Sequence, residues 1–328
     1  MTHLKYKSSL RLAALSLLAS LSACASDNSD GGGTGGSSGS GNATGGTSGA
    51  GTGSLVGTFL AELVPPLSGA AAFTKFIGVV FDGPVPPSMP LKLDSEKNGC
   101  QLLVPQALFC SPSCGATGVC TAENVCTLYP TPQNLGVVHL TGLGPTEVVM
   151  DPMPDRYNYQ PVMTLPNPSC DEDGAVKVAT DKFTIDGKCI APLNLLGPDP
   201  IPVASGKGVA LTWTPPGKAG ISTIKIKLDI AHHGGKKGEI DCDVPDTGSF
   251  EIPETLVTKL VSLGLAGFPT IVVNRQSSAS APMQSEVKLV VSSSIERSVD
   301  TGVKSCTDNS ECTAPQVCRA DLSCGPAT

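Results

Sequence analysis

Val209-Ala210-Leu211-Thr212-Trp213 and, eleven residues after Trp213, Ile224-Lys225-Ile226-Lys227-Leu228-Asp229-Ile230 form the stretch that decides the fold. Val209, Leu211 and Trp213 alternate with Ala210 and Thr212, and the four later aliphatic residues alternate with Lys225, Lys227 and Asp229. A period of two buries one face of a strand and leaves the other in water. Pro215-Pro216-Gly217-Lys218-Ala219-Gly220 between them is turn material.

Working outward, further strands are predicted at Thr58–Val64, Phe73–Phe81, Gly136–Thr141, Thr146–Met150, Tyr159–Leu165, Gly238–Val244, Thr270–Asn274 and Glu286–Ser292. One helix stands out from Pro253 to Leu263. Proline suits a first helical turn, Leu256, Leu260 and Leu263 share a face, and Gly264 fits the C-cap. Three turns are too few for a layer, so this helix is expected to plug one end. The expected fold is mainly β: an antiparallel β-sandwich with one short helix, two disulfide-rich knots and a Gly/Ser-rich N-terminal tether.

The string Leu211-Thr212-Trp213-Thr214-Pro215-Pro216 resembles the second strand of fibronectin type III domains. The resemblance covers about twenty residues and implies a sandwich whose inter-sheet core is filled by Trp213.

Thirteen cysteines set the second constraint. Eight lie in two similar clusters, Cys110-SPS-Cys114-GATGV-Cys120-TAENV-Cys126 and Cys306-TDNSE-Cys312-TAPQV-Cys318-RADLS-Cys324. They read as one small module used twice. Zinc modules favour pairs separated by two to four residues, often with histidine; only Cys110/Cys114 approaches that spacing and neither cluster holds a histidine. Disulfides are therefore expected, and a segment so short needs them for order. Spacing leaves the pairing open, and first-to-third with second-to-fourth is taken as the expectation. Cys100, Cys170, Cys189 and Cys242 are left to staple the body. The clusters look like the C-x5-C-x5-C-x5-C knots of many myxobacterial and related surface lipoproteins, and loosely like the cysteine-rich units of Dickkopf-type proteins. No activity comes with that likeness.

The N-terminus supplies an address. Lys5, Lys7 and Arg11 precede a twelve-residue apolar run, Leu12 to Ala23, too short to cross ~30 Å of hydrocarbon. Leu21-Ser22-Ala23-Cys24 resembles the bacterial lipobox, which implies cleavage before Cys24 and acylation of its thiol. Residue 25 is alanine rather than the aspartate of inner-membrane retention, which by resemblance favours the outer membrane. Gly31 to Ser54 holds twelve glycines among twenty-four residues and has nothing with which to bury a core. The expected division is a signal peptide at 1–23, a lipidated cysteine and linker at 24–54, a β-rich body at 55–305 with a knot inserted at 110–126, and a second knot at 306–324.

Composition narrows the function classes. The chain has 22 basic and 29 acidic residues, and loss of the three basic residues of the leader leaves a net charge of −10. That excludes a broad nucleic-acid footprint. Aromatics are 4% of the chain, a poor endowment for stacking sugars.

Tests for chemistry return little. Asp-Thr-Gly occurs at Asp246 and Asp300, the signature of an aspartic protease, whose two carboxylates must share a proton ~3 Å apart. Asp171-Glu172-Asp173-Gly174 offers oxygens for calcium at Asp171 and Asp173 but lacks a full loop pattern. His232-His233 sits on a glycine-rich loop with lysines nearby, and reads as a solvated tip. No cofactor is implied. The reading is a lipid-anchored, non-catalytic protein that binds a surface or envelope partner or serves the envelope structurally; the alternative is a secreted hydrolase, with an aspartic protease using Asp246 and Asp300 as its one specific candidate.

Overall fold

The computed structural model describes residues 54–66, 69–87 and 90–327. The first strands are β1 (Val56–Val64), β2 (Phe73–Phe81), β3 (Leu91–Lys97), β4 (Cys100–Pro105), β5 (Gly118–Cys120) and β6 (Cys126–Leu128). Next come β7 (Val138–Thr141), β8 (Val148–Met150), β9 (Ala175–Ala179), β10 (Thr184–Lys188), β11 (Leu195–Leu196) and β12 (Ile201–Pro202). The chain continues through β13 (Val209–Trp213), β14 (Thr223–Asp229), β15 (Glu239–Pro245), β16 (Ser249–Ile252) and the helix α1 (Glu254–Ser262). It ends with β17 (Thr270–Ala281), β18 (Gln284–Asp300), β19 (Val317–Cys318) and β20 (Cys324–Gly325).

The fold is mainly β, and its frame is one sheet ordered β2-β1-β18-β17-β14-β15-β4-β3, with β12 alongside β18. Most neighbours are antiparallel, but β1 and β12 both run parallel to β18, so the sheet is mixed rather than wholly antiparallel. Two smaller sheets cover one of its faces, β10-β9-β7-β8 on one half and β11-β13-β16 with α1 on the other. The strands β13 and β14 therefore belong to different layers, and the Pro215–Gly220 turn carries the chain between them.

Each half has its own core. Phe59 packs near the rings of Phe76, Tyr159 and Phe183 at centroid distances of 6.3, 6.4 and 6.3 Å, with Leu140, Val176, Ile185 and Leu289 around them. The other core gathers Leu102, Trp213, Ile226, Ile240, Leu256 and Val273. Ile224, Ile226 and Leu228 point inward while Lys225 and Lys227 point out, as their alternation requires.

The long β17–β18 hairpin runs through both halves, and where it passes between the cores its inner face turns polar. Arg275, Ser277 and Ser293 are buried there, with Arg275 directly opposite Ser293. Ser293 Oγ accepts from Leu193 N–H at 2.9 Å, and Ser277 donates to the Lys188 carbonyl. These bonds pin the crossing between β10 and β11 over the seam.

The helix is placed as expected. Pro253 stands at its N-cap, Leu256, Val257 and Leu260 are buried, and Gly264 takes a left-handed φ of 97° just beyond it. Lys259 reaches Asp94 at 3.2 Å, tying α1 to β3. Tyr159–Leu165 is not a strand; only Tyr159 and Leu165 bridge to β2. Among the described residues no helix is long and apolar enough to cross a membrane.

Six disulfides hold the chain. Cys100–Cys242 joins register partners on β4 and β15, with Cα atoms 3.9 Å apart and a sequence separation of 142. Cys170–Cys189 closes the other half. Both knots pair first to third and second to fourth: Cys110–Cys120 with Cys114–Cys126, and Cys306–Cys318 with Cys312–Cys324. The two modules share backbone detail. Their hairpins, β5–β6 and β19–β20, oppose Cys120 to Cys126 and Cys318 to Cys324, and the turns place Asn124 and Leu322 at the same left-handed φ of 59°.

Candidate functional site: the open face of the large sheet

The face of the nine-stranded sheet that no other described residues cover carries an open depression of about 960 Å³, walled by β4, β14, β15, β17 and the turn at Lys97-Asn98-Gly99. Register assembles its floor. Lys227 lies between Val272 and Asp241, and Lys225 between Asn274 and Asp243. These are the outward residues of strands whose inward neighbours build the second core.

The charges on this floor are unequally satisfied. Lys225 pairs with Asp243. Glu239, almost wholly buried, takes both Lys227 at 2.8 Å and Lys236 at 3.0 Å. Burial opposes its charge, but the two lysine hydrogen bonds outweigh that and hold its carboxyl below the usual range. Asp241 stands between these pairs. Burial, then the negative charge of Glu239, pushes its carboxyl above the usual range, and no donor of the described chain reaches its buried Oδ1. The Asn274 Oδ1 on the other side of β14 is likewise without a donor. An unsatisfied buried acceptor costs about 1–3 kcal/mol, and because both oxygens are closed to solvent that cost falls on the fold of this floor.

Asp246 and Asp300 are not brought together. Asp246 Oδ2 accepts from Arg275 Nε at 2.6 Å and Ser222 Oγ at 2.7 Å; its Oδ1 accepts from Trp213 Nε1 at 2.7 Å and Arg275 Nη2 at 3.1 Å. Asp300 lies seven residues along β18 from Ser293, the register partner of Arg275, which is roughly 23 Å of strand at ~3.3 Å per residue. Its carboxylate caps the N–H of Gly302 at 2.9 Å. The protease expectation gives way to a structural role for Asp246: its four donors clamp the turn after β15 to the seam.

The acidic turn is likewise turned to structure. Asp173 is met by Lys188 at 3.0 Å and Lys218 at 2.9 Å, and those hydrogen bonds hold its carboxyl below the usual range. Glu172 accepts from the N–H groups of Gly217 and Lys218 at 3.1 and 3.2 Å. The turn thus grips the crossing between β13 and β14. At the weak calcium candidate, Asp171 and Asp173, the Asp173 oxygens face two ammonium groups.

In each knot three sulfurs lie within 4.8 Å of one another, Cys110, Cys114 and Cys126 in the first and Cys306, Cys312 and Cys324 in the second. Crossed disulfides bring them that close, and a sulfur in a disulfide has no thiolate to give a metal. His139 Nδ1 lies 3.0 Å from Glu147 across the β7–β8 hairpin, and the rings of His232 and His233 lie 4.0 Å apart, tilted by 56°. Cys24 and the Gly31–Gly53 part of the linker lie outside the described residues.

Trp213 lies in the core between β13 and the large sheet. No family model matches the chain, and no curated protein matches it.

Proposed function

We propose that the chain is a lipid-anchored, non-catalytic binding protein of a bacterial cell envelope, held extracytoplasmically by Cys24, and that the open face of its large sheet receives an envelope partner. The leader and lipobox-like Leu21–Cys24 support the anchor, and six disulfides suit an oxidising compartment.

The observation that carries the binding reading is the open depression itself, where Lys225, Lys227, Asp241, Asp243 and Asn274 are set side by side by the register of β14, β15 and β17. A floor that alternates lysines with acids and amides favours a polar segment carrying both donors and acceptors. A protein segment suits it better than a glycan, given so few aromatic platforms. The test is capture from intact envelopes by the wild-type chain and by an Asp241→Ala, Asn274→Ala variant of equal stability. A partner enriched by the first and lost with the second supports the reading. Equal capture by both, or no capture together with hydrolysis of a substrate panel, sinks it. Mass analysis of the peptide beginning at Cys24 tests the anchor separately.

A further inference from the structure

One row of residues crosses the open face of the large sheet from strand to strand. Register sets it as Glu296 on β18, Val272 on β17, Lys227 on β14, Asp241 on β15, Gln101 on β4 and Glu96 on β3. All but Glu296 line the depression, and Glu296 stands just beyond Val272. Glu296 and Glu96 are exposed and Asp241 is partly so.

The row holds three acids and one lysine, and that lysine is already engaged by Glu239 at 2.8 Å. Lys225 and Lys236 are engaged too, by Asp243 and Glu239. Among the described residues, no lysine or arginine is ion-paired with Glu296, Asp241 or Glu96. Lys97, at the rim, is the one lining lysine outside any such pair, so free acids outnumber free bases here.

Spacing says what can answer these acids. Neighbouring strands lie ~4.8 Å apart, so along the row Asp241 is about 10 Å from Glu96 and about 14 Å from Glu296. A metal ion holds its oxygens at ~2.3–2.6 Å and cannot span such gaps. A single small amine meets only one of the three. Between Asp241 and Glu96 stands Gln101, an exposed amide that both donates and accepts, as a peptide group does.

We propose that the occupant of the open face is a basic polypeptide segment lying across the strands, its lysine or arginine side chains set on Asp241, Glu96 and Glu296. This deepens the binding reading above and rests on it. An extended chain rises ~3.3 Å per residue, so cations three and four residues apart match the row. The chain's net charge of −7 draws such a segment in. A cation laid on Asp241 also relieves the cost that burial puts on its ionised form.

The experiment uses the whole chain from residue 24, with Cys24→Ser to omit the lipid. It is titrated by calorimetry with a ten-residue glycine peptide bearing arginine at its second, fifth and ninth positions. Binding is expected, weakening as salt is raised. Asp241→Asn should weaken it about 10-fold, as for a lost hydrogen bond between charged groups. Asp155→Asn removes the same charge from the exposed loop after β8 and should change affinity less than about 2-fold, being screened from the row. The same peptide with glutamate for arginine should not bind. Unchanged or raised melting temperatures show that both variants fold. No binding of the arginine peptide overturns the proposal. Equal losses in Asp241→Asn and Asp155→Asn also overturn it, marking diffuse attraction, and so does spermine bound as tightly as the peptide. An envelope partner captured through the depression by a chain that ignores the arginine peptide refutes this proposal and leaves the binding reading standing.

Discussion

Arg275 Nε donates to Asp246 Oδ2 at 2.6 Å with both side chains withdrawn from solvent, 1% and 2% exposed, at the seam between two hydrophobic cores. The guanidinium also donates to the carbonyls of Thr214 at 2.6 Å and Pro192 at 3.1 Å. One side chain thus gathers the turn after β15, the end of β13 and the crossing segment before β11.

Asp246→Asn should therefore cost about 3–5 kcal/mol, the usual penalty for leaving a buried charge without its partner. Replacing both members, Asp246→Leu with Arg275→Met, should not restore wild-type stability. The Thr214 and Pro192 carbonyls and the Trp213 indole N–H would lose partners at about 1–3 kcal/mol each. Urea midpoints of the three proteins decide this, and a double variant as stable as wild type would refute it.

Removal of Cys100–Cys242 by paired alanines should lower stability by about 2–5 kcal/mol, since it closes a 142-residue loop. Removal of Cys110–Cys120, ten residues apart, should leave the main melting transition almost in place. Its effect should appear as new protease cleavage between residues 110 and 126.

Asp241→Asn should stabilise the protein near neutral pH and not in acid. The folded pKa is raised by burial and by Glu239, so ionising Asp241 costs the folded state, and that cost develops as pH rises from the ordinary aspartate value through the raised one. The group is partly wetted, which keeps the gain below about 1 kcal/mol. Melting temperatures against pH should show the two proteins parting as pH rises; a constant gap would contradict the assignment.

Glu239 carries the opposite sign. Its folded pKa is lowered by Lys227 and Lys236, so its contribution is present above the ordinary glutamate value and is lost as pH falls through the lowered one. Glu239→Gln should cost about 1–2 kcal/mol at pH 7, given two hydrogen bonds from charged donors, and nothing once wild-type Glu239 is protonated. Denaturation followed from pH 7 downward should show the gap between the two proteins closing.

The parts of the fold that sequence made legible are those where one rule acts alone. Period-two alternation set the inner and outer faces of β13 and β14, and proline and glycine bracketed α1. The hairpin β17–β18 was foreseen as two short strands but runs from Thr270 to Asp300. Its middle carries Arg275, Ser277 and Ser293 where alternation would call for aliphatics, because that stretch crosses the polar seam. Leu91–Lys97 and Thr184–Lys188 escaped notice for a related reason: β3 is a wet edge strand with a bulge near Asp94, and β10 is five residues with a glycine.

The candidate site was less legible than the fold. Asp241 gives no signal in a sequence where acids are common; its isolation comes from β14 offering one lysine to Asp243 and the other to Glu239. The Asp-Thr-Gly string at Asp246 did mark a special carboxylate, but the partner that explains it, Arg275, lies 29 residues away on a strand that the alternation left incomplete.

The parallel pairing of β1 with β18 sets Gly57 beside Val287. A polypeptide emerges from its N-terminus, whether from a ribosome or through a translocon, so β1 is delivered first and must wait for almost the whole chain before its neighbour arrives. Until then β1 and β2 form an apolar ribbon whose inner face, with Phe59, Phe76 and Val80, has no sheet to lie on. Closing so long a loop is slow, and exposed strand edges invite aggregation meanwhile. The assembly order built into this topology is therefore last-made, first-needed: the final hairpin is the centre on which the earlier pieces settle.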